Sequence, residues 1–166
     1  AYSLLPYRLE NSFRNLKKSM NPEGHDRISI TVKCSGRFSL RLKVLMNASV
    51  TITWDNGENA NSEVIKWKVN GWNRLEHQYS KPGKHVIEIC SDEENVITGI
   101  EIEIAFSVTK MNLEACRGLE YLHCTNQRAS INPKGLCGLR YLNIRNTKTK
   151  RLNIRGMHQL VALDIS

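Results

Sequence analysis

The chain has 166 residues, 40% hydrophobic and 24% charged, with 24 Lys and Arg against 16 Asp and Glu for a formal charge of +8. That is enough apolar sequence to bury a core, which excludes a disordered chain, and no window holds the roughly 20 apolar residues that span a bilayer. The positive balance suits anionic partners such as acidic glycans, a lipopolysaccharide-rich surface or nucleic acid, and it also serves plain solubility.

The chain opens on Ala1 rather than Met, with no charged leader and apolar stretch behind it, which suggests processing from a longer precursor. Leu9, Phe13, Leu16 and Met20 follow at spacings of four, three and four, predicting a short amphipathic helix within 5–20. Residues 1–26 are therefore read as an amino-terminal helix and linker.

From residue 27 the period is two. Ile28-Ser29-Ile30-Thr31-Val32-Lys33-Cys34 and Phe38-Ser39-Leu40-Arg41-Leu42-Lys43-Val44 alternate apolar with polar, predicting two half-buried strands separated by a break at Ser35-Gly36. Cys34, on the apolar face, reads as a small core hydrophobe. Further strands are expected at Val50–Trp54, at Ile65–Val69 with Trp67 inward, and at His85–Ile89. The intervening Asp55-Asn56-Gly57, Asn70-Gly71 and Pro82-Gly83 carry turn chemistry. Short strands with turns at this spacing indicate an antiparallel β-sandwich over 27–96.

"VTITWDNG" (50–57) and "HQYSKPGKHVIEI" (77–89) together resemble the PKD-type β-sandwich, in which an apolar strand runs into a tryptophan-bearing turn, then H-x-Y, then a P-G turn. In that resemblance Asp55 and Asn56 bond their own backbone, Gly57 supplies an unusual φ, and Trp54 fills core or rim. A catalytic Asp55 would need a partner base or metal ligands, and His77 alone does not supply them.

From residue 97 the period changes. Laying 118–137 over 138–158 aligns Leu119 with Leu139, Tyr121 with Tyr141, Leu122 with Leu142, Cys124 with Ile144 and Asn126 with Asn146, and the register continues at Leu160, Leu163 and Ile165. A step of twenty back reaches Ile102, Ile104 and Phe106, so "TGIEIEIAF" reads as the strand that joins the sandwich to the array. The spaced leucines ending in asparagine resemble the leucine-rich repeat, with Cys124 and Ile144 in place of leucine. In such a repeat each short strand buries its leucines against the next, while the asparagine satisfies backbone groups at the turn. Of the five cysteines, Cys116 and Cys124 fall at core positions and Cys137 where exposure is expected. None has the Cys-x-x-Cys spacing of a metal or redox site. Leu163 and Ile165 are expected to form an apolar edge that pairs with more repeats or with a second copy.

The resemblance to the leucine-rich repeat implies that residues between the buried leucines form a concave ladder: Glu101, Glu103, Tyr121, His123, Thr125, Tyr141, Asn143, Arg145, Ala162 and Asp164. Tyr121, His123, Thr125, Tyr141, Asn143, Arg145 and Asp164 are the candidate ligand-binding residues, though stacked Tyr121 and Tyr141 also serve to stabilise neighbouring strands. His123 and Asp164 share a column, but two strand spacings of about 4.8 Å separate them, too far for a triad or a metal pair. Between Arg117 and Arg155 there are nine Lys or Arg and one acidic residue, Glu120. With two tyrosines as the sole platforms, that charge does not point to nucleic acid.

A PKD-like sandwich followed by an incomplete leucine-rich-repeat array over 97–166 resembles the leucine-rich surface proteins of Bacteroidetes-type organisms. The resemblance implies a mainly β, non-catalytic, extracellular or surface protein that adheres to a protein or glycan on a host or neighbouring cell, without cofactor or metal. The alternative is a carbohydrate-binding accessory module in which exposed Trp67 or Trp72 stacks on sugar rings.

Overall fold

Alternation fixes the first element, and it does not stop where the sequence suggested. The computed structural model describes residues 25–55 and 62–166; the amino-terminal helix and the Asn56-Gly57 half of the first turn lie outside the described residues. The described chain is mainly β, a mixed nine-stranded sheet without a helix among the described residues. Its strands are β1 (Asp26–Val44), β2 (Ser49–Thr53), β3 (Ser62–Lys66), β4 (Gly71–Ser91), β5 (Ile97–Ile102), β6 (Val108–Asn112), β7 (Tyr121–Cys124), β8 (Tyr141–Asn143) and β9 (Ala162–Asp164). They lie in the order β3-β2-β4-β1-β5-β7-β8-β9, with β6 beside β1.

Three expectations need correction. The two strands predicted at 28–34 and 38–44 are one strand, β1, because Ser35-Gly36 makes a bulge instead of a turn: pairing with β4 jumps from Cys34–Gly83 to Gly36–Tyr79 and then continues. Gly36 takes the positive φ, 82°, that such an irregularity needs. Pro82-Gly83 does not end a strand either. Pro82, which has no N–H to donate, sits in the unpaired stretch of β4 opposite the bulge, where a missing donor costs no ladder bond. The strand expected at 65–69 begins three residues earlier and stops before Trp67. That tryptophan is buried as expected, with its N–H donated to Ala48 O at 2.9 Å and its indole N–H to Gly71 O at 3.1 Å.

The bulge bends the β1–β4 pair so that both ends of β1 reach the same segment. Val44 pairs with Ile97, while the Asp26 carboxylate accepts the N–H groups of Asn95, Val96 and Ile97, all at 2.8 Å. Ile28, Ile30 and Val32 from one half of β1 and Phe38, Leu40 and Leu42 from the other are all fully buried in a single core. Each such side chain contributes about 1.5–3 kcal/mol. Burial pushes the Asp26 carboxyl above its ordinary value against the pull of the three N–H donors, and nearby Glu94 adds to the rise.

β5 joins two kinds of pairing, antiparallel to β1 and parallel to β7. Its buried residues, Ile97, Thr98, Gly99, Ile100 and Ile102, read almost continuously, as a strand covered on both faces requires. The step from β5 to β7 is 22 residues, pairing Ile100 with Leu122 and Ile102 with Cys124, two residues out of the register that a step of twenty gives. At the following turn, Phe106 N–H still bonds Asn126 O at 2.6 Å, and both residues have positive φ. The two extra residues therefore lie between Ile102 and Phe106.

Beyond β5 the spacing is regular. Leu122, Leu142 and Leu163 are partners in parallel register, as are Tyr121, Tyr141 and Ala162. Each strand is preceded by two linked turns: the N–H groups of Cys116, Leu136 and Met157 bond the carbonyls of Leu113, Pro133 and Ile154, and those of Leu119, Leu139 and Leu160 bond the carbonyls of Cys116, Leu136 and Met157. Asn112, Asn132 and Asn153 open these turns by accepting the N–H two residues on. Cys116 and Cys124 are buried and Cys137 is exposed; burial pushes the Cys124 thiol up to about 12 and the Cys116 thiol well above its usual range.

Candidate binding face

Pairing places the outward residues of six strands in two rows on one face. One row runs Trp72 (β4), Lys43 (β1), Gly99 (β5), Tyr121 (β7), Tyr141 (β8), Ala162 (β9). The next runs Arg74, Arg41, Glu101, His123, Asn143, Asp164. Of the residues expected to form the ladder, Tyr121, His123, Tyr141, Asn143 and Asp164 lie together here. Thr125 and Arg145 sit at the strand ends: the Thr125 hydroxyl lies 3.3 Å from His123 Nε2, and the Arg145 N–H donates to Asn143 Oδ1 at 3.3 Å. Glu101 stands beside His123, not beside Tyr121 as the twenty-residue step placed it, and Glu103 pairs instead with Arg74 at 3.6 Å.

Gly99 decides the character of the first row. A β-carbon there would lie 2.7 Å from Trp72 Cη2 and 3.0 Å from Lys43 Cβ, so the bare backbone is what lets the indole lie across β5. Trp72 then meets the Tyr121 ring edge-on with centroids 5.1 Å apart, and Tyr121 meets Tyr141 at 5.8 Å. Arg41 caps the assembly, its guanidinium 5.2 Å from the Trp72 ring centre and 3.2 Å from Glu101 Oε2. Burial, with Glu101 nearby, raises the Tyr121 hydroxyl above its ordinary value, while Arg41 pulls it down. Asp164 is held below the ordinary carboxylate range by hydrogen bonds from Ser166, with Arg145 assisting.

Trp72 and Arg41 were not among the ladder residues read from the repeat, because they belong to the other half of the chain. Two signals pointed to them: outward Arg41 and Lys43 in an alternating strand, and a glycine inside the strand next to the first repeat. Trp67 is no platform, being 2% exposed. A buried side chain was also displaced by one residue from its expected place. The amide that satisfies backbone groups at the turn is Gln127, not Asn126: its Oε1 accepts the Val108 N–H at 3.0 Å and its Nε2 donates to Ile104 O at 2.8 Å. Asn126 and Asn146 instead supply positive φ, 55° and 52°, and bond each other at 3.0 Å.

His123 and Asp164 stand two strands apart with Asn143 between them, and Asp164 spends its Oδ1 on Ser166. Among the described residues no three His, Cys, Asp or Glu side chains converge as metal ligands would. Asp55 does have a histidine, though not His77. His85 Nδ1 lies 2.8 Å from Asp55 Oδ2 and Nε2 lies 3.1 Å from the Lys81 carbonyl. The His85 ring stacks on Tyr79 at 3.8 Å, and Tyr79 donates its hydroxyl to Trp54 O. Both His85 nitrogens are occupied by these partners, so the group ties the end of β2 to the β4 irregularity. Comparison of the chain with protein-family models, with curated proteins and with solved structures finds no match.

Proposed function

We propose that this chain is a non-catalytic binding module of a secreted or cell-surface protein, in which a PKD-like β-sandwich carries a short leucine-rich-repeat solenoid and the ladder face receives a protein or glycan ligand. The observation that carries the reading is the face itself. Three aromatic rings and a row of planar polar side chains lie in register across six strands, with Leu40, Leu42, Leu75, Leu122 and Leu142 of the same strands turned into the core. Aromatic and arginine side chains on a rigid sheet lose little conformational freedom on binding, which suits them to anchor a partner. The twenty-residue recurrence of Leu, Cys or Ile, and Asn supports the repeat assignment.

An array of glycans and extracellular-matrix proteins, probed with the wild type and two double variants, tests the proposal. Tyr141→Ala with Arg145→Ala is expected to remove binding while leaving the circular dichroism spectrum and melting point nearly unchanged. Lys148→Ala with Arg151→Ala, on the return loop, is expected to alter salt-sensitive binding alone. Equal loss from both pairs would mean diffuse charge attraction and no recognition face.

A carbohydrate ligand is the second reading. It is favoured by Trp72, which joins the tyrosines on the same face.

A further inference from the structure

On that second reading rests a narrower assignment of the ligand. The two rows run across the strands, so a ligand that uses them also runs across the strands and meets a new residue at every strand spacing, about 4.8 Å. One pyranose in an extended glycan advances by nearly that distance. Alternate side chains of an extended peptide advance about 6.7 Å and fall out of step after one strand. The aromatic row offers ring faces and edges to sugar C–H groups. The second row places Glu101, His123, Asn143 and Asp164 one per strand; Glu101 is held by Arg41 and Asp164 by Ser166, so His123 and Asn143 are the groups turned to hydroxyls.

Charge narrows the class. Arg41 and Arg74 are engaged by Glu101, Glu103 and Glu76. Lys43, Arg140 and Arg145 border the same face, Arg140 with its guanidinium 5.9 Å from the Tyr141 ring centre, and none of the three makes an ion pair among the described residues. Cations without a close ion pair, set beside aromatic rings, complement a sugar that carries its own anion.

We propose that the face binds an extended anionic polysaccharide, one sugar per strand across β5, β7 and β8, with Tyr121 and Tyr141 under the rings and Lys43, Arg140 and Arg145 against the carboxylates or sulfates.

Trp72 reports on the face directly, because the other two tryptophans, Trp54 and Trp67, are buried. Titration of the chain with oligogalacturonate, oligoguluronate and heparin fragments at about 0.15 M salt, where long-range attraction is screened, is expected to give a saturable change in tryptophan emission with at least one of them. Tyr141→Ala and Arg145→Ala are each expected to weaken that binding about tenfold or more, and Lys148→Ala with Arg151→Ala less than about twofold. Absence of binding to all three overturns the assignment, and so does equal weakening by the loop pair. If a protein ligand binds, and Tyr141→Ala with Arg145→Ala abolishes it while the acidic fragments fail to compete, the glycan assignment falls and the recognition face stands.

Discussion

The region before β5 and the region after it build one core by opposite means. In the first, two strands of 19 and 21 residues pair along nearly their whole length, and partners such as Asp26 and Ser91 are 65 residues apart in sequence. In the second, strands of three or four residues repeat every 20 or 21 and touch their nearest neighbours in sequence. The first region buries one continuous antiparallel surface, and in the second each short strand pairs in parallel with the next. β5 belongs to both, and the face proposed for binding spans the joint. Antiparallel strands contribute Trp72, Arg41 and Lys43, and parallel strands contribute the tyrosines.

The comparison can be broken most forcefully at Asp26. Asp26→Ala leaves the buried N–H groups of Val96 and Ile97 and the partly buried one of Asn95 without an acceptor, at about 1–3 kcal/mol for each buried group. A loss of about 3 kcal/mol or more is expected in chemical denaturation, with emission from Trp54 and Trp67 and the near-ultraviolet signal of the tyrosines falling in one transition. Two separated transitions would show that the regions unfold independently. Titration adds a sign. The folded carboxyl is raised above its ordinary value of 3.8, so between the unfolded and folded values the folded state holds more protons, and stability falls as pH rises through that window. The stability advantage of wild type over Asp26→Asn is therefore expected to shrink as pH climbs from below 3.8. A widening gap would mean that the N–H donors outweigh burial.

Within the parallel region one column gives a graded test. Leu142 is 1% exposed and Leu163, its partner on β9, is 41% exposed. Leu142→Ala is expected to cost about 2–4 kcal/mol. Leu163→Ala on the same chain should cost less than about 1 kcal/mol. Similar costs at both sites would contradict a sum of neighbour contacts.

How far each region was legible follows from the same contrast. A repeat announces its own registration, because Leu119, Tyr121 and Leu122 recur as Leu139, Tyr141 and Leu142, so the columns of the face were readable from sequence. What the repeat hid were departures from its period: the two extra residues between Ile102 and Phe106, and the buried amide at Gln127 where Asn126 had drawn attention. In the antiparallel region alternation identified the buried side of β1 but not its length, since a bulge with Gly36 and Pro82-Gly83 uses the same residues as a turn. The Asp55–His85 pair and the placing of Trp72 beside Tyr121 depend on contacts 30 and 49 positions apart in sequence, for which no local pattern exists.

Gly99→Ala sharpens the comparison at the joint. The added methyl would collide with the far edge of the Trp72 ring, which can swing aside, and with Lys43 Cβ, which cannot. A destabilisation of about 1 kcal/mol is expected, accompanied by a red shift of emission as Trp72 leaves Tyr121. A methyl accommodated without spectral change would show that the indole does not depend on the bare β5 backbone.

The smallest effect is expected at the turn that carries Asp55. Its carboxylate meets His85 at 2.8 Å, but the Asp55 side chain is 43% exposed, so water competes for the contact and salt screens it. A double-mutant cycle with Asp55→Ala and His85→Ala is expected to give a coupling of about 0.2–1 kcal/mol at neutral pH. His85→Ala alone should cost more than Asp55→Ala, because the ring also stacks on Tyr79 and bonds the Lys81 carbonyl. Ligand binding at the β5–β8 face should be unchanged in both single variants, since neither residue belongs to its two rows. Loss of binding in Asp55→Ala, with the melting point intact, would move the functional centre from the parallel strands to this turn.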